Sequence, residues 1–543
     1  MPFPPLESLT LAQQVAQMVV VRASGFLFDH QIQYPIWEPP SATLRHWLED
    51  VEVGGVILLG ASAGEVALRT QQLQEWAKTP LLICADVEEG VGQRFSGATW
   101  FPPPMALAAI AQHDLAAACR YAEQMGAITA QESLAIGLNW VLAPIVDVNN
   151  NPDNPVINVR AFGETTSIVS ALATAFIRGA QAHTVLTTAK HFPGHGDTTI
   201  DSHLELPVVA HDRARLDQIE LPPFRAAIAA GVDAVMSAHL LIPALDEQYP
   251  ATLSPKVLEQ ELRQRLGFEG LIVTDALVMG AIANQYGTEE SAVLAIEAGA
   301  DILLMPLDPE QAIASVCAAV EAGRIDPARI QAAVARIWRA KQKVCAPQLK
   351  SETPHAWEKI QPSSPDFSIS LEQPDAIATH TAILRQSLQL HRPTPASLDE
   401  PTQAGRNLIV VDNILDCDFL GRTAPAIVLP AQFGFTHTQI VDRHTPPISF
   451  DPKTPDETPT LLQLFIRGNP FRGSAGLTQT ACDWFEFLLH SKQLRGLAIY
   501  GSPYVLQQFI TALPQNVPYV FSYGQMQTAQ AIGLQALFLN SAP

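Results

Sequence analysis

Eight short apolar runs, separated by longer stretches with helical spacing, are the feature that most constrains how this chain folds. They are QMVVVRA (17–23), GGVILLG (54–60), LLICADV (81–87), NWVLAPIVDV (139–148), TVLTTAKHF (184–192), DAVMSAHLL (233–241), GLIVTDALV (270–278) and DILLMPL (301–307). Between most of them lie amphipathic segments such as GEVALRTQQLQEWA (64–77), LAAACRYAEQMGAITAQESLAIG (115–137) and IVSALATAFIRGAQA (168–182). β-Branched runs with little polar alternation predict strands buried on both faces, as in a parallel sheet. Eight such repeats within residues 1–345 predict an α/β fold, a (β/α)8 TIM-type barrel, with the doubly wound sheet as the alternative.

The stretch DPARIQAAVARIWRAKQKV (326–344) reads as the helix that closes this domain, with Asp326 as N-cap and Pro327 at the first helical position. Residues 346–374 then carry Pro347, Pro354, Pro362, Pro365 and Pro374 among several serines and read as a linker or strap. Residues 375–543 supply further apolar runs: RNLIVVDN (406–413), APAIVLP (424–430), PTLLQLFIRG (459–468), RGLAIYGSP (495–503) and VPYVFSYG (517–524). They alternate with helical stretches such as ACDWFEFLLHSKQ, which predicts a smaller C-terminal α/β sandwich. A length of 543 residues agrees with two cores rather than one.

Charge narrows the partners. The 33 Lys and Arg stand against 54 Asp and Glu, a net charge of -21 that repels phosphate backbones and anionic membranes. Nucleic acid and membrane insertion are therefore not expected. Cys84, Cys119, Cys317, Cys345, Cys417 and Cys482 lack CxxC spacing, so neither a zinc site nor a disulfide framework is expected. The first residues, MPFPPLESLTLAQQVAQMVVVRASG, have no basic segment followed by a long apolar one, and the expected location is cytoplasmic.

Polar residues collect where the apolar runs end: Asp86, Asp147, Asn149, Lys190, His191, His239 and Asp275. In a barrel of this kind strand ends form the mouth where chemistry takes place. The densest stretch is AKHFPGHGDTTIDSH (189–203). Pro193, Gly194 and Gly196 between His191 and His195 argue against a helix, and no metal pattern accompanies them. The stretch reads as an acid/base loop in which Asp201 pairs with His203, an aspartate fixing an imidazole tautomer and raising its pKa. His195 and Asp197 read as loop-shaping residues.

KHFPGHGDTTIDSH closely resembles the signature of glycoside hydrolase family 3, in particular its β-N-acetylglucosaminidase branch of the NagZ type. The resemblance continues through LAQQVAQMVVV near the start, DVEEGVGQR (86–94), APIVDVNNNPDNPVINVRAFG (143–163) and GLIVTDALVMGAI (270–282), and covers residues 8–345. More loosely, YGSPYVLQQF and PYVFSYG resemble the family's C-terminal sandwich. The resemblance implies Asp275 as nucleophile, His203 as general acid/base and Asp201 as its partner. It implies Asp86, Arg94, Arg160, Lys190, His191 and His239 around the sugar, with no metal and no organic cofactor.

The activity so implied is a retaining exo-acting β-N-acetylglucosaminidase. Its substrate would be a carbohydrate ending in N-acetylglucosamine, such as a muropeptide or chitooligosaccharide, within peptidoglycan recycling. A phosphorylase on the same sugar, a β-glucosidase and a non-catalytic carbohydrate-binding protein are the alternatives. Asp275 also has a structural reading, as cap of a helix starting at Ala276. The chain departs from the family pattern at Glu89-Gly90, where two glycines are usual, and at Val91-Gly92, which replaces a basic-plus-apolar pair. It departs again at LLGAS, where an aromatic-Arg-Asn element is frequent.

Overall fold

The computed structural model describes residues 4–199, 202, 205–345, 370–393, 403–446, 458–467 and 479–539. All eight apolar runs of the first domain contain a strand: β1 (Val19–Ser24), β2 (Gly55–Leu59), β3 (Leu82–Ala85), β4 (Trp140–Val141), β5 (Leu186–Phe192), β6 (Ala234–Ser237), β7 (Leu271–Val273) and β8 (Leu303–Leu304). They pair in parallel in the order β7-β6-β5-β4-β3-β2-β1-β8. A parallel bridge between Val273 and Ile302 joins β7 to the segment entering β8, so the ring closes. The closing helix, Pro327–Cys345, begins at Pro327 as its sequence predicts, and Asp326 Oδ1 accepts the Ala328 N–H at 2.9 Å. Of the linker expected over 346–374, residues 346–369 lie outside the described residues.

At the barrel's other end, Asp301 is fully buried and accepts bonds from Arg263 (2.8 Å), Arg329 (3.2 Å), Arg336 (3.0 Å) and the Ile272 amide (3.1 Å). Three guanidinium groups thus meet one carboxylate beneath the strands, a pairing that compensates the burial of its charge.

The C-terminal domain is built on strands β9 (Gln389–His391), β10 (Arg406–Val410), β11 (His437–Val441), β12 (Thr460–Ile466), β13 (Leu494–Gly501) and β14 (Tyr519–Ser522), in the order β11-β10-β12-β13-β14-β9. All pair in parallel except β9, which is antiparallel to β14. Successive side chains on a strand point to opposite faces. Leu408, Val410, Leu462 and Leu464 accordingly share a core with Trp484, Phe485, Val505 and Phe509 of two helices on one side. Ile409, Leu461, Phe465 and Tyr500 pack with Leu534, Leu537 and Phe538 of a helix on the other. The run APAIVLP is not a strand: Pro425–Ala431 is a short helix, started by a proline at its first position.

Candidate active site

A cavity of about 780 Å³ occupies the barrel mouth and is roofed by the C-terminal domain. Its floor comes from strand ends and the turns after them: Asp86, Glu88 and Arg94 beyond β3, Arg160 beyond β4, Lys190 and His191 at the end of β5, Asp275 beyond β7. The β5–β6 pairing shifts register between Lys190 and Phe192. That irregularity accompanies the presentation of two consecutive side chains, Lys190 and His191, to one cavity, where a regular strand would alternate them.

Lys190 is 1% exposed, and its Nζ lies 2.6 Å from Asp86 Oδ1 and 2.6 Å from Glu88 Oε1. Arg160 grips Glu88 with both arms of its fork, Nε to Oε2 at 2.9 Å and Nη2 to Oε1 at 2.8 Å. Burial alone would raise the Glu88 pKa, but the charges and hydrogen bonds of Arg160 and Lys190 outweigh it and hold the group well below the usual carboxylate range. Burial likewise opposes the charge on Lys190, and Asp86 and Glu88 overcome it, so its pKa is raised. The four side chains therefore form a fixed, charged cluster, with Asp86 about one-third exposed toward the cavity.

Behind His191 stands Asp147. Its Oδ2 lies 2.9 Å from His191 Nδ1, and Oδ1 accepts the His195 amide at 2.7 Å. Burial pushes the Asp147 pKa up, yet these bonds bring it below its ordinary value. An ionised Asp147 accepts a hydrogen bond from the Nδ1–H of His191, which fixes the orientation of the ring. His195 is also buried: its Nε2 meets Ser202 Oγ at 2.9 Å and its Nδ1 meets Thr198 Oγ1 at 2.8 Å. Burial, the largest effect, drives its pKa down to about 4, so it stands neutral at ordinary pH.

The loop after β5 is pinned from outside by Asp197, which accepts from His211 Nε2 and Arg215 Nη2, both at 2.9 Å. Gly196 lies where a Cβ would fall 1.8 Å from the Val148 carbonyl oxygen, so no larger residue fits that approach. Asp201 and His203 lie outside the described residues.

Asp275 is half-buried, with Oδ1 accepting the Ala276 amide at 2.8 Å. The next helix begins at Gly280 with Met279 as its N-cap, so Asp275 does not cap it, contrary to the structural reading of its sequence position. Arg94 is exposed and donates Nε to the Asp86 carbonyl at 3.0 Å. His239 does not line the cavity. It is buried, donates Nε2 to the Ala276 carbonyl at 3.0 Å and meets Thr252 Oγ1 through Nδ1 at 2.8 Å. It supports the backbone beside Asp275 from behind. Asn149 also stands behind the cavity, accepting the Asn158 amide at 2.9 Å and donating to Tyr504 at 2.9 Å.

Several lining residues carried no signal in a reading of the barrel alone. From the loop after β1, Tyr34 and Trp37 stack at 6.1 Å, and Arg22, paired with Glu38 at 2.9 Å, lies over both rings. From the C-terminal domain come Asp412, Phe419, Arg443, Arg467 and Gln525. Such residues join the site only through the docking of distant segments, which no local pattern encodes.

Comparison with known proteins agrees with this two-domain fold. The model of the glycosyl hydrolase family 3 N-terminal domain matches residues 10–340, and that of the bacterial glycosyl hydrolase family 3 C-terminal domain matches residues 399–539. The chain is 34% identical over 339 residues to "Beta-hexosaminidase A" of Pseudoalteromonas piscicida, a match covering 56% of this chain and 56% of that protein, so it spans about half the relative's length. It superposes with TM-score 0.76 and 31% identity on a glycoside hydrolase family 3 β-N-acetylglucosaminidase from Paenibacillus sp. str. FPU-7, covering 98% of this chain and 97% of the other. The fold is shared with β-glucoside phosphorylase BglX at TM-score 0.81 and 23% identity, over 99% and 93% of the two chains.

Proposed function

This chain belongs to glycosyl hydrolase family 3, and from that premise we propose that it is a retaining exo-β-N-acetylglucosaminidase. The observation that carries the proposal is one cavity in which the half-buried carboxylate of Asp275 shares the barrel mouth with the Asp86–Lys190–Glu88–Arg160 cluster and His191. Acceptors and donors of this kind hold sugar hydroxyls, and Asp275 stands as the nucleophile that attacks the anomeric carbon. Arg94 borders the sugar on the exposed side, while His239 acts through the backbone next to Asp275.

Retention needs a second group that protonates the leaving oxygen and then deprotonates water. Glu88 is locked in its ionised form, Asp86 is bonded to Lys190, and His195 is neutral with both ring nitrogens occupied. These three are poorly suited to donating a proton, and the resemblance to the family gives the acid/base role to His203 with Asp201 as its partner. The order of events is then attack by Asp275 with proton delivery to the departing sugar, formation of a glycosyl ester, and its hydrolysis by water.

The names of the Pseudoalteromonas and Paenibacillus proteins support N-acetylhexosamine as the sugar. A peptidoglycan fragment or chitooligosaccharide is the proposed substrate. A reducing compartment, the cytoplasm, is the proposed location, since the cysteines lack CxxC spacing; among the described residues no helix is long and apolar enough to cross a membrane.

The test is nitrophenol release from the nitrophenyl β-N-acetylglucosaminide beside the β-glucoside, with and without phosphate, for wild type and Asp275→Ala. Release from the first substrate, lost in the variant, is expected. Sugar 1-phosphate among the products makes the enzyme a phosphorylase instead, and no turnover of either glycoside by folded protein overturns the reading.

A further inference from the structure

Glu89 occupies a position where the family's motif usually carries glycine, and here it is fully buried. Its carboxylate accepts two bonds from Arg467, Nη2 to Oε1 at 2.6 Å and Nη1 to Oε2 at 3.1 Å, and a third from Trp100 Nε1 at 3.0 Å. Arg467 directly follows β12 of the C-terminal domain, 378 residues along the chain. Trp100 in turn meets Phe419 of that domain with ring centroids 6.3 Å apart. Glu88, the adjacent residue, is bonded to Arg160 and Lys190 of the sugar cluster. Two consecutive carboxylates thus face two sets of cations, one in each domain.

From this arrangement we infer that Arg467 is a positioning residue for the barrel's sugar cluster, acting through Glu89, so that the C-terminal domain is a working part of the active site. A carboxylate buried at the barrel mouth and stripped of its cation is strongly disfavoured. Segment 86–90 then relaxes to bring Glu89 toward water. That segment has little slack: the Glu89 amide donates to Gln93 Oε1 at 3.0 Å, its carbonyl accepts the Phe101 amide at 2.7 Å, and Gly90 adopts φ +86°. Relaxation at Glu89 therefore displaces Asp86 and Glu88, the groups that fix Lys190 and Arg160. Glycine at this position carries no charge and needs no cation. The glutamate in this chain and the arginine opposite it form one device.

Other contacts hold the domains together when the pair is broken. Tyr504 bonds Asn149 at 2.9 Å and Glu164 at 2.5 Å, and Ser502 Oγ bonds Asn158 Oδ1 at 3.1 Å. Loss of the pair is thus expected to disturb the sugar cluster without releasing the domain.

The inference rests on the mouth being a sugar site, and the experiment separates the two. Arg467→Ala, Glu89→Ala and the double variant are compared with wild type in full-length protein, by steady-state kinetics on the nitrophenyl glycoside and by thermal unfolding. Arg467→Ala is expected to raise KM by about tenfold with a smaller change in kcat, since it leaves a buried charge unpaired. Removing that charge as well, in the double variant, is expected to return KM to within about threefold of wild type, the non-additivity of a coupled pair. A merely structural role for Arg467 predicts no such rescue. An unchanged KM in Arg467→Ala, or a double variant as impaired as that single one, overturns the inference. Wild-type protein that turns over no glycoside contradicts the proposed function, and the pair is then judged by unfolding: single-variant losses in Tm that simply add overturn the coupling, and losses that do not add support it.

Discussion

Lys341 offers a quantitative test of how the barrel tolerates a charge in its interior. It lies on the closing helix, has no exposure, bonds Gln17 Oε1 at 2.6 Å and sits 5.5 Å from the Trp338 ring centre. Burial pushes its pKa from the ordinary 10.5 down to about 7. Between those two values the unfolded chain binds the extra proton and the folded one does not, so stability rises with pH across that window. The penalty is fully present below pH 7 and fades as pH approaches 10.5. One pKa unit corresponds to about 1.4 kcal/mol, so the window between pH 7 and pH 9.5 should add about 3 kcal/mol to wild-type stability. Lys341→Met keeps the apolar stem and removes the titration. It also orphans Gln17 Oε1, a cost of about 1–3 kcal/mol that does not vary with pH. Urea unfolding of both proteins, followed by tryptophan fluorescence at pH 7 and pH 9.5, isolates the pH-dependent part. Wild type should gain about 3 kcal/mol on the variant over this interval. Parallel curves would refute the reasoning, because they would mean that Lys341 keeps its proton in the fold or is not buried as described.

Three further outcomes are expected. Glu88→Gln leaves Lys190 and Arg160 short of their buried counter-charge and should lower kcat/KM by roughly 10²–10³-fold; a change under about threefold in steady-state kinetics would show that the cluster does not position the sugar. Asp147→Asn keeps the shape but removes the charged acceptor behind His191 and should reduce kcat/KM by about 10–100-fold with little change in Tm. Asp301→Asn leaves three arginines around a neutral group and should cost about 3–5 kcal/mol in denaturant unfolding, with residual activity per folded molecule unchanged.

The barrel was legible in the sequence because strands buried on both faces must be apolar throughout, and each of the eight runs marks one. In the C-terminal domain the same reading misled at residues 424–430, where Pro425 starts a helix. It passed over His437–Val441, an edge strand whose half-exposed face admits polar residues. At the mouth, strand-end polar residues sorted into two kinds. Asp86, Lys190, His191 and Asp275 line the cavity, while Asp147, Asn149 and His239 stand behind and hold their neighbours. Position at a strand end does not distinguish these kinds; the direction of the side chain does. Arg467 was invisible because its meaning depends on Glu89, far away in the chain.

The most direct test of the proposed mechanism is mass analysis of protein treated with a 5-fluoro β-N-acetylglucosaminyl fluoride, which slows hydrolysis of a glycosyl ester. Proteolysis should yield one modified peptide, carrying the mass of one fluorosugar on Asp275, and Asp275→Ala should remain unlabelled. A label on another carboxylate, or none in protein that still turns over substrate, would contradict Asp275 as the nucleophile of a retaining mechanism.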